Sequence, residues 1–170
     1  LDFAVDACRL QPGDRVLEVG CGTGAAALCL AARMRDLHIV GLDLQPELIA
    51  LARQSAVLNG MPNVTFYAGD LLTAPDEVVA VAYDHVMANP PFARAGSGRI
   101  SPDPSKALAS MEGAADLPAW VAFCAARVRP GGSVTFIHRA DRAAEVAALF
   151  VASGLDAAIQ PIGGKRVLVH

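Results

Sequence analysis

Short apolar runs rich in β-branched residues alternate along the chain with longer stretches whose apolar positions recur at helical spacing. This alternation predicts β-α-β units and therefore a mostly parallel sheet with helices on its faces. Strands are predicted at residues 15–20, 38–44, 64–68, 84–88, 133–138, 155–162 and 165–170. Helices are predicted at residues 1–10, 25–34, 46–59, 76–82, 117–128 and 140–152.

The seven predicted strands fit one doubly wound α/β sheet. Only Gly163 and Gly164 separate the last two strands, which predicts a hairpin in which one strand runs antiparallel to the rest of the sheet. Residues 90–113 show neither a strand nor a helix pattern. Loops of that length inside a compact domain are usually functional or mobile, so this segment is predicted to take part in function.

The composition supports a single folded domain over residues 1–170. Hydrophobic residues make up 54% of the chain but aromatic residues only 5%, so Ala, Val and Leu supply most of the interior, which is typical of buried parallel strands. Charged residues amount to 18%, below the usual share of about a quarter. The low charge argues against disorder.

The sequence also bounds the cellular setting. No apolar run reaches the roughly 18 residues needed to cross a bilayer, and the first residues, with Asp2, Asp6 and Arg9, do not resemble a secretory signal. Because the chain begins with Leu1 rather than Met, an N-terminal segment is expected to be missing. The four cysteines show no metal-binding spacing, which predicts reduced thiols in a cytoplasmic protein and no metal site.

The motif E-V-G-C-G-T-G at residues 18–24 lies directly between a predicted strand and a predicted helix. The alternating glycines Gly20, Gly22 and Gly24 let the backbone turn tightly and approach a ligand closely. Their spacing differs from the G-x-G-x-x-G dinucleotide fingerprint, and it suits a nucleoside with a sulfur-linked tail better than a pyrophosphate. The alternative is a tight strand-to-helix turn that binds nothing.

Acidic residues follow the next two predicted strands. Asp43 can accept both ribose hydroxyls of an adenosine, and Leu44 beside it would lie against the adenine. Asp70, followed by Leu71, is placed to accept from an adenine amino group. Each aspartate also has a structural alternative: Asp43 could cap the following helix, and Asp70 could form a turn.

The motif Asn89-Pro90-Pro91-Phe92 ends the fourth predicted strand and carries the most specific chemistry. The nitrogen of an exocyclic amino group or a glutamine amide is a poor nucleophile because its lone pair is delocalised. The Asn89 side-chain oxygen and the Pro90 carbonyl could bind its two N–H groups and direct the developing lone pair at an electrophilic methyl. The prolines stiffen the backbone, and Phe92 offers a flat stacking face. The alternative is an ordinary proline-containing loop.

With these motifs the whole chain resembles the class I S-adenosylmethionine-dependent methyltransferases, and the N-P-P-F motif resembles their amino-group branch. The resemblance implies a Rossmann-like methyltransferase fold, S-adenosylmethionine as cofactor and S-adenosylhomocysteine as product. It implies that residues 89–92 hold the acceptor. The implied cofactor-binding residues are Glu18, Gly20, Gly22, Gly24, Asp43, Leu44, Asp70, Leu71 and Asn89.

Within that branch, residues 83–92, 101–109, 129–132 and 137–142 are similar to bacterial tRNA adenine N6-methyltransferases that act next to the anticodon. This similarity implies a tRNA partner. Three other activities remain open: methylation of a protein glutamine at N5, methylation of guanine N2 in rRNA, and nicotinamide-dependent oxidoreduction on a similar sheet. A nucleoside-binding module without catalysis would leave the N-P-P-F motif unexplained.

The net charge of −3 does not indicate nucleic-acid binding. An RNA substrate therefore requires that basic residues cluster on one rim or that a missing N-terminal segment supplies positive charge. His138 ends the fifth predicted strand, where either a site or a packing role is open. His38 and His85 are interpreted as packed or edge residues, and Cys21 as a small filler. The basic residues considered for the rim are Arg94, Arg99, Lys106, Arg139, Arg142, Lys165 and Arg166.

Overall fold

A computed structural model describes residues 10–92 and 114–170, and both segments contribute to one seven-stranded sheet. The strand order is β3-β2-β1-β4-β5-β7-β6. Strand β7 is antiparallel to both of its neighbours, whereas β1 to β5 run parallel to one another, so the predicted α/β sheet with one antiparallel C-terminal strand is confirmed. The strands are β1 (Arg15–Val19), β2 (His38–Asp43), β3 (Val64–Ala68), β4 (Tyr83–Ala88), β5 (Val128–Arg139), β6 (Ile159–Gly163) and β7 (Arg166–Val169).

Helices cover both faces of the sheet. Successive strand residues point to opposite faces, so Val16 packs with α1 and α2, whereas Leu17 packs with α3, α4 and α5. The helix α4 begins where the Asp116 carboxylate accepts a hydrogen bond from the Ala119 N–H at 3.0 Å. The helices are α1 (Ala25–Arg33), α2 (Pro46–Leu58), α3 (Asp76–Val79), α4 (Leu117–Arg127) and α5 (Ala143–Ala152). None of those in the described ranges is long and apolar enough to cross a membrane.

Strand β5 is longer than predicted. The Pro130-Gly131-Gly132 sequence was expected to separate a helix from a strand that starts at residue 133, but it lies inside the strand. It forms an irregular stretch in which Asp84 of β4 faces four residues of β5. A Cβ atom on Gly132 would lie 2.4 Å from the Asp84 carbonyl oxygen, so this close approach requires glycine.

Three other element boundaries differ from the predicted ones by three or more residues. The predicted helix over residues 140–152 is a 3₁₀ turn (Ala140–Arg142) followed by α5. The predicted strand at 155–162 begins only at Ile159, and the helix predicted over 76–82 ends at Val79. The predicted helix at residues 1–10, except for Leu10, lies outside the described residues, as do Arg94, Arg99 and Lys106.

A polar network ties the strands together near their amino ends. His85 is buried, and its Nε2 lies 3.0 Å from Asp14 Oδ2 while its Nδ1 lies 2.8 Å from Ser133 Oγ. His85 is therefore a packed residue in the amino-terminal half of β4, away from the edge of the sheet where the parallel strands end. His38 is exposed at the start of β2. Both are packing or edge residues, in agreement with the sequence-based interpretation.

Candidate active site

A cleft opens where β1, β2, β3 and β4 end, at the edge of the sheet where parallel α/β folds bind ligands. Seven residues of the predicted site line it. Glu18, Gly22, Gly24, Pro90 and Phe92 are absent from the described lining. The lining consists of Val19, Gly20, Leu42, Asp43, Leu44, Gln45, Gly69, Asp70, Leu71, Asn89, Pro91, Ala115 and Trp120.

The loop after β1 is held to the end of β2 by Asp43. Its Oδ2 accepts a hydrogen bond from the Gly22 N–H at 2.7 Å, and its Oδ1 accepts from the Gln45 N–H at 2.9 Å. Gly20 and Gly22 have φ angles of 72° and 55°, a left-handed conformation that favours glycine. A carboxylate has about four acceptor positions, so both oxygens of Asp43 retain capacity for two ligand hydroxyls.

Glu18 supports the loop from below rather than lining the cleft. It is buried, and its Oε2 accepts a hydrogen bond from the Ala27 N–H in α1 at 2.9 Å. Burial raises the pKa of Glu18 from 4.5 to about 8, and Asp43 contributes in the same direction. The carboxyl group is therefore neutral at pH 7 and fixes the helix to the strand.

We expect the stability difference between wild type and Glu18→Gln to depend on pH. The unfolded carboxyl ionises near pH 4.5 and the folded one only near pH 8. Stability that protonated Glu18 contributes is therefore fully present below 4.5 and is lost as the pH rises towards 8. Urea unfolding across this interval should show wild type losing stability relative to the variant. A difference that is constant with pH would contradict the assignment, and exposed Glu77→Gln provides the control.

Cys21 lies beneath the same loop. It is 6% exposed, and burial together with Glu18 and Asp43 raises the pKa of its thiol. A Cβ on Gly41 would approach its sulfur to 2.9 Å, so the thiol fills a tight space between the loop and β2. Its role is packing, in agreement with the sequence-based interpretation.

The opposite end of the cleft is formed after β2 and β3. The Leu44 side chain is 52% exposed at the rim. The Asp70 carboxylate accepts a hydrogen bond from the Leu72 N–H at 2.9 Å and thereby begins the 3₁₀ turn (Leu71–Thr73). Asp70 thus forms the turn that the sequence offered as its structural role, and it also lines the cleft.

The N-P-P-F motif begins in the cleft and ends beside it. Asn89 is exposed and lines the cleft together with Pro91, whereas Pro90 is buried. The Phe92 ring lies edge-to-face against His138, with ring centroids 5.4 Å apart. Its carbonyl accepts a hydrogen bond from Arg142 Nη1 at 3.4 Å. His138 is fully buried, so it supports the motif from beneath instead of facing a ligand.

Sequence reasoning missed Trp120 and Ala115. Ala115 precedes α4 and Trp120 lies on its first turn, both far along the chain from the glycine loop, and Trp120 fits a helical apolar pattern like any core residue. The fact that it is the one tryptophan of the chain was the available signal.

The charge of the described cleft favours a cationic ligand. Asp43 and Asp70 are its ionisable lining residues, and no Lys, Arg or His side chain lines it within the described ranges. A pyrophosphate would meet two carboxylates with no compensating cation there, whereas S-adenosylmethionine carries a positive sulfonium. The residues present therefore fit S-adenosylmethionine better than a dinucleotide.

Comparison with known protein families is decisive at this point. The sequence profile described as a methyltransferase domain matches residues 10–128, more than half of the chain. The chain belongs to the methyltransferase domain family. This membership is evidence against the alternative of a nicotinamide-dependent oxidoreductase.

Two curated relatives of this methyltransferase domain act on different acceptors. A release factor glutamine methyltransferase of Deinococcus radiodurans is 32% identical over 167 residues, which is 95% of this chain and 58% of that protein. The 23S rRNA (uracil(1939)-C(5))-methyltransferase RlmD of Alkalilimnicola ehrlichii is 39% identical over 93 residues, 54% of this chain and 20% of that protein. The chain thus spans little more than half of the first relative and a fifth of the second.

Solved structures agree with the observed fold. A SAM-dependent methyltransferase from Aquifex aeolicus superposes with a TM-score of 0.73 at 14% identity, covering 99% of this chain and 86% of the other. PKMT2 from Rickettsia typhi, solved in complex with S-adenosylhomocysteine, has a TM-score of 0.55 at 17% identity. The match covers 78% of this chain and 22% of that chain. Both solved structures therefore support the fold of this chain.

Proposed function

We propose that this methyltransferase domain transfers the methyl group of S-adenosylmethionine to a planar NH₂-type nitrogen. The observation that carries the proposal is that Asn89 and Pro91 line the same cleft as Asp43 and Asp70. An acceptor held at this end of the cleft by the N-P-P-F motif would face a nucleoside held by Asp43 and Asp70, which is the arrangement that direct transfer requires.

The proposed cofactor residues divide into two kinds. Asp43 would accept from the ribose hydroxyls, Asp70 from the adenine amino group, and Leu44 and Leu71 would cover the adenine. Gly20 would allow the backbone to approach the ligand closely, whereas Glu18, Gly22 and Gly24 act through the loop they shape. S-adenosylmethionine supplies an electrophilic methyl, and S-adenosylhomocysteine is the product.

The proposed acceptor residues orient a weak nucleophile. The Asn89 side-chain oxygen and the Pro90 carbonyl would accept the two N–H groups of the acceptor and stabilise the positive charge that develops on its nitrogen. The bound cofactor would supply the methyl to the nitrogen lone pair as the carbon–sulfur bond breaks with its electron pair leaving on sulfur, and the methylated nitrogen would release its proton to water. The contacts of Phe92 with His138 and Arg142 keep the motif in place.

For the acceptor we propose adenine N6 in tRNA. Phe92 is half-buried beside the cleft and offers a stacking face to a base turned out of its helix. Four basic residues lie at the end of β5 and the start of β7. Arg166 is the register partner of Arg139 in the sheet, and the Ala140 N–H donates to the Lys165 carbonyl. Arg142 Nη1 donates to the Phe92 carbonyl. Such a rim can contact phosphates despite the negative net charge. Asp141 and Glu145 pair with two of these arginines.

A glutamine amide of a protein is the second candidate acceptor. It is supported by the release factor glutamine methyltransferase of D. radiodurans, whose similarity extends over 95% of this chain rather than over the cofactor half alone. A glutamine side chain presents the same planar NH₂ group to Asn89 and Pro90. The rim of four basic residues would then have no role in catalysis.

Parallel assays on total tRNA, on rRNA and on a release factor distinguish the candidate acceptors. We expect methylated adenosine in tRNA nucleosides analysed by mass spectrometry, with no change in the release factor. Methylation of the release factor alone would assign the glutamine activity, and methylation of rRNA guanine would assign the third alternative. Reversing Arg139 and Arg166 to Glu should abolish only an RNA activity.

A further inference from the structure

Trp120 is the aromatic residue of the cleft that the proposed function does not use. It lies on the first turn of α4, where its backbone N–H donates to the Asp116 carbonyl. Leu117 and Val121 are buried and hold the helix against the core. The indole itself is half-buried and lines the cleft. The helix thus holds one large aromatic side chain out of the core, at the cleft.

The indole ring meets the glycine loop directly. A Cβ atom on Gly20 would lie 2.8 Å from Cη2 and 3.2 Å from Cζ3 of Trp120, so the outer edge of the ring is in contact with the Gly20 backbone. The side chain therefore spans the gap between α4 and the end of β1. No residue larger than glycine at position 20 would leave the indole in this place.

The strand order fixes which part of the cofactor lies near this ring. Asp43 follows β2 and Asp70 follows β3, so adenosine bound there occupies one end of the cleft. Asn89 follows β4, on the other side of β1. A sulfonium joined to that adenosine and directed at an acceptor beside Asn89 would lie near the end of β1, where Trp120 touches Gly20.

Trp120 is also the group at that end with the right electrostatics. Gly20, Asn89, Pro91 and Ala115 are uncharged, and Glu18 beneath them is protonated at neutral pH because burial raises its pKa to about 8. The face of an indole carries partial negative charge and attracts cations within about 6 Å. Within the described lining at the Asn89 end of the cleft, this ring is therefore the feature that suits a positive sulfur, in addition to the charge of Asp43 and Asp70 at the other end.

We propose that Trp120 makes the cleft selective for the sulfonium cofactor over its neutral thioether product, through a cation–π interaction next to Gly20. S-adenosylmethionine and S-adenosylhomocysteine differ at this point by one methyl group and one positive charge. A ring that attracts the charge holds the substrate form and releases the product form. This inference rests on the proposed function.

The test is the ratio of two affinities, measured by calorimetry for wild type, Trp120→Phe and Trp120→Leu. We expect Trp120→Leu to weaken the binding of S-adenosylmethionine about five- to thirty-fold more than the binding of S-adenosylhomocysteine. Trp120→Phe should retain part of the preference because it keeps an aromatic face. Phe123→Leu, one turn further along α4 and outside the described cleft lining, should leave the ratio unchanged. Circular dichroism confirms that each variant is folded.

The outcomes separate this inference from the function on which it depends. Equal weakening of the binding of both ligands would show that the indole only fills space. Unchanged affinities for both ligands would show that it takes no part in recognition, and either result overturns the proposal for Trp120 alone. If wild type binds neither ligand, the proposed function fails together with it. If Trp120→Leu does not fold, the ratio in Trp120→Phe decides.

Discussion

Replacing Asn89 with Ala is expected to lower methyl transfer by about a hundred- to a thousand-fold, the usual effect of removing one preorganised polar group that stabilises a transition state. Asn89 is exposed at the cleft, so its loss should disturb the fold little. The variant should bind S-adenosylmethionine nearly as well as wild type, since Asp43 and Asp70 hold the nucleoside at the other end. Single-turnover rates and calorimetry measure the two effects separately.

The control for this variant is Asn59→Ala. Asn59 is exposed at the end of α2, where its side chain bonds to the Ser55 carbonyl, and it lies outside the described cleft lining. Its replacement should leave transfer unchanged. If cofactor affinity in Asn89→Ala fell in parallel with activity, Asn89 would be a cofactor residue and its proposed role in holding the acceptor nitrogen would be wrong.

Replacing Asp43 with Ala should have the complementary effect, a loss of cofactor affinity of about a hundred-fold. Hydrogen bonds to charged groups contribute about 1.5–3 kcal/mol each. Asp43 would lose two ribose contacts and would also release the Gly22 and Gln45 N–H groups that it now binds at 2.7 and 2.9 Å. Calorimetric titration with S-adenosylmethionine measures the change, and the melting temperature reports any cost to the fold.

Asp36→Ala is the matched control, because Asp36 is exposed before β2 and lies at the opposite end of that strand. We expect its cofactor affinity to equal that of wild type. An Asp43→Ala protein that is folded and binds S-adenosylmethionine within a factor of two of wild type would mean that Asp43 serves only the loop. The ribose assignment would then have to be withdrawn.

The strands whose ends carry local signals were predictable from the sequence. β3 was predicted at its observed bounds because Gly60-Met61-Pro62 precedes it and Gly69 follows it. The glycine loop, Asp43, Asp70 and Asn89 come together because each follows a parallel strand, and parallel strands end at one edge of the sheet. Glycine and proline residues at the strand ends, together with the common direction of the parallel strands, were therefore sufficient to predict this half of the site.

What the sequence did not predict depends on contacts between distant segments. The extension of β5 through Pro130 requires the Asp84 backbone to approach Gly132, a pairing that no local pattern specifies. Trp120 reaches Gly20 across a hundred residues of sequence. The packing of Phe92 on His138 likewise depends on the register of β5, so its structural role became evident only in three dimensions.

Transfer of the methyl to a planar amino nitrogen is tested most directly by locating the transferred methyl in the product. The protein should be incubated with S-adenosylmethionine carrying a deuterated methyl group and with tRNA, rRNA and release factor, followed by mass spectrometry of nucleosides and peptides. We expect label on an exocyclic or amide nitrogen, with adenine N6 in tRNA as the proposed position. Label on a carbon, such as C5 of uracil, or on an oxygen would contradict it.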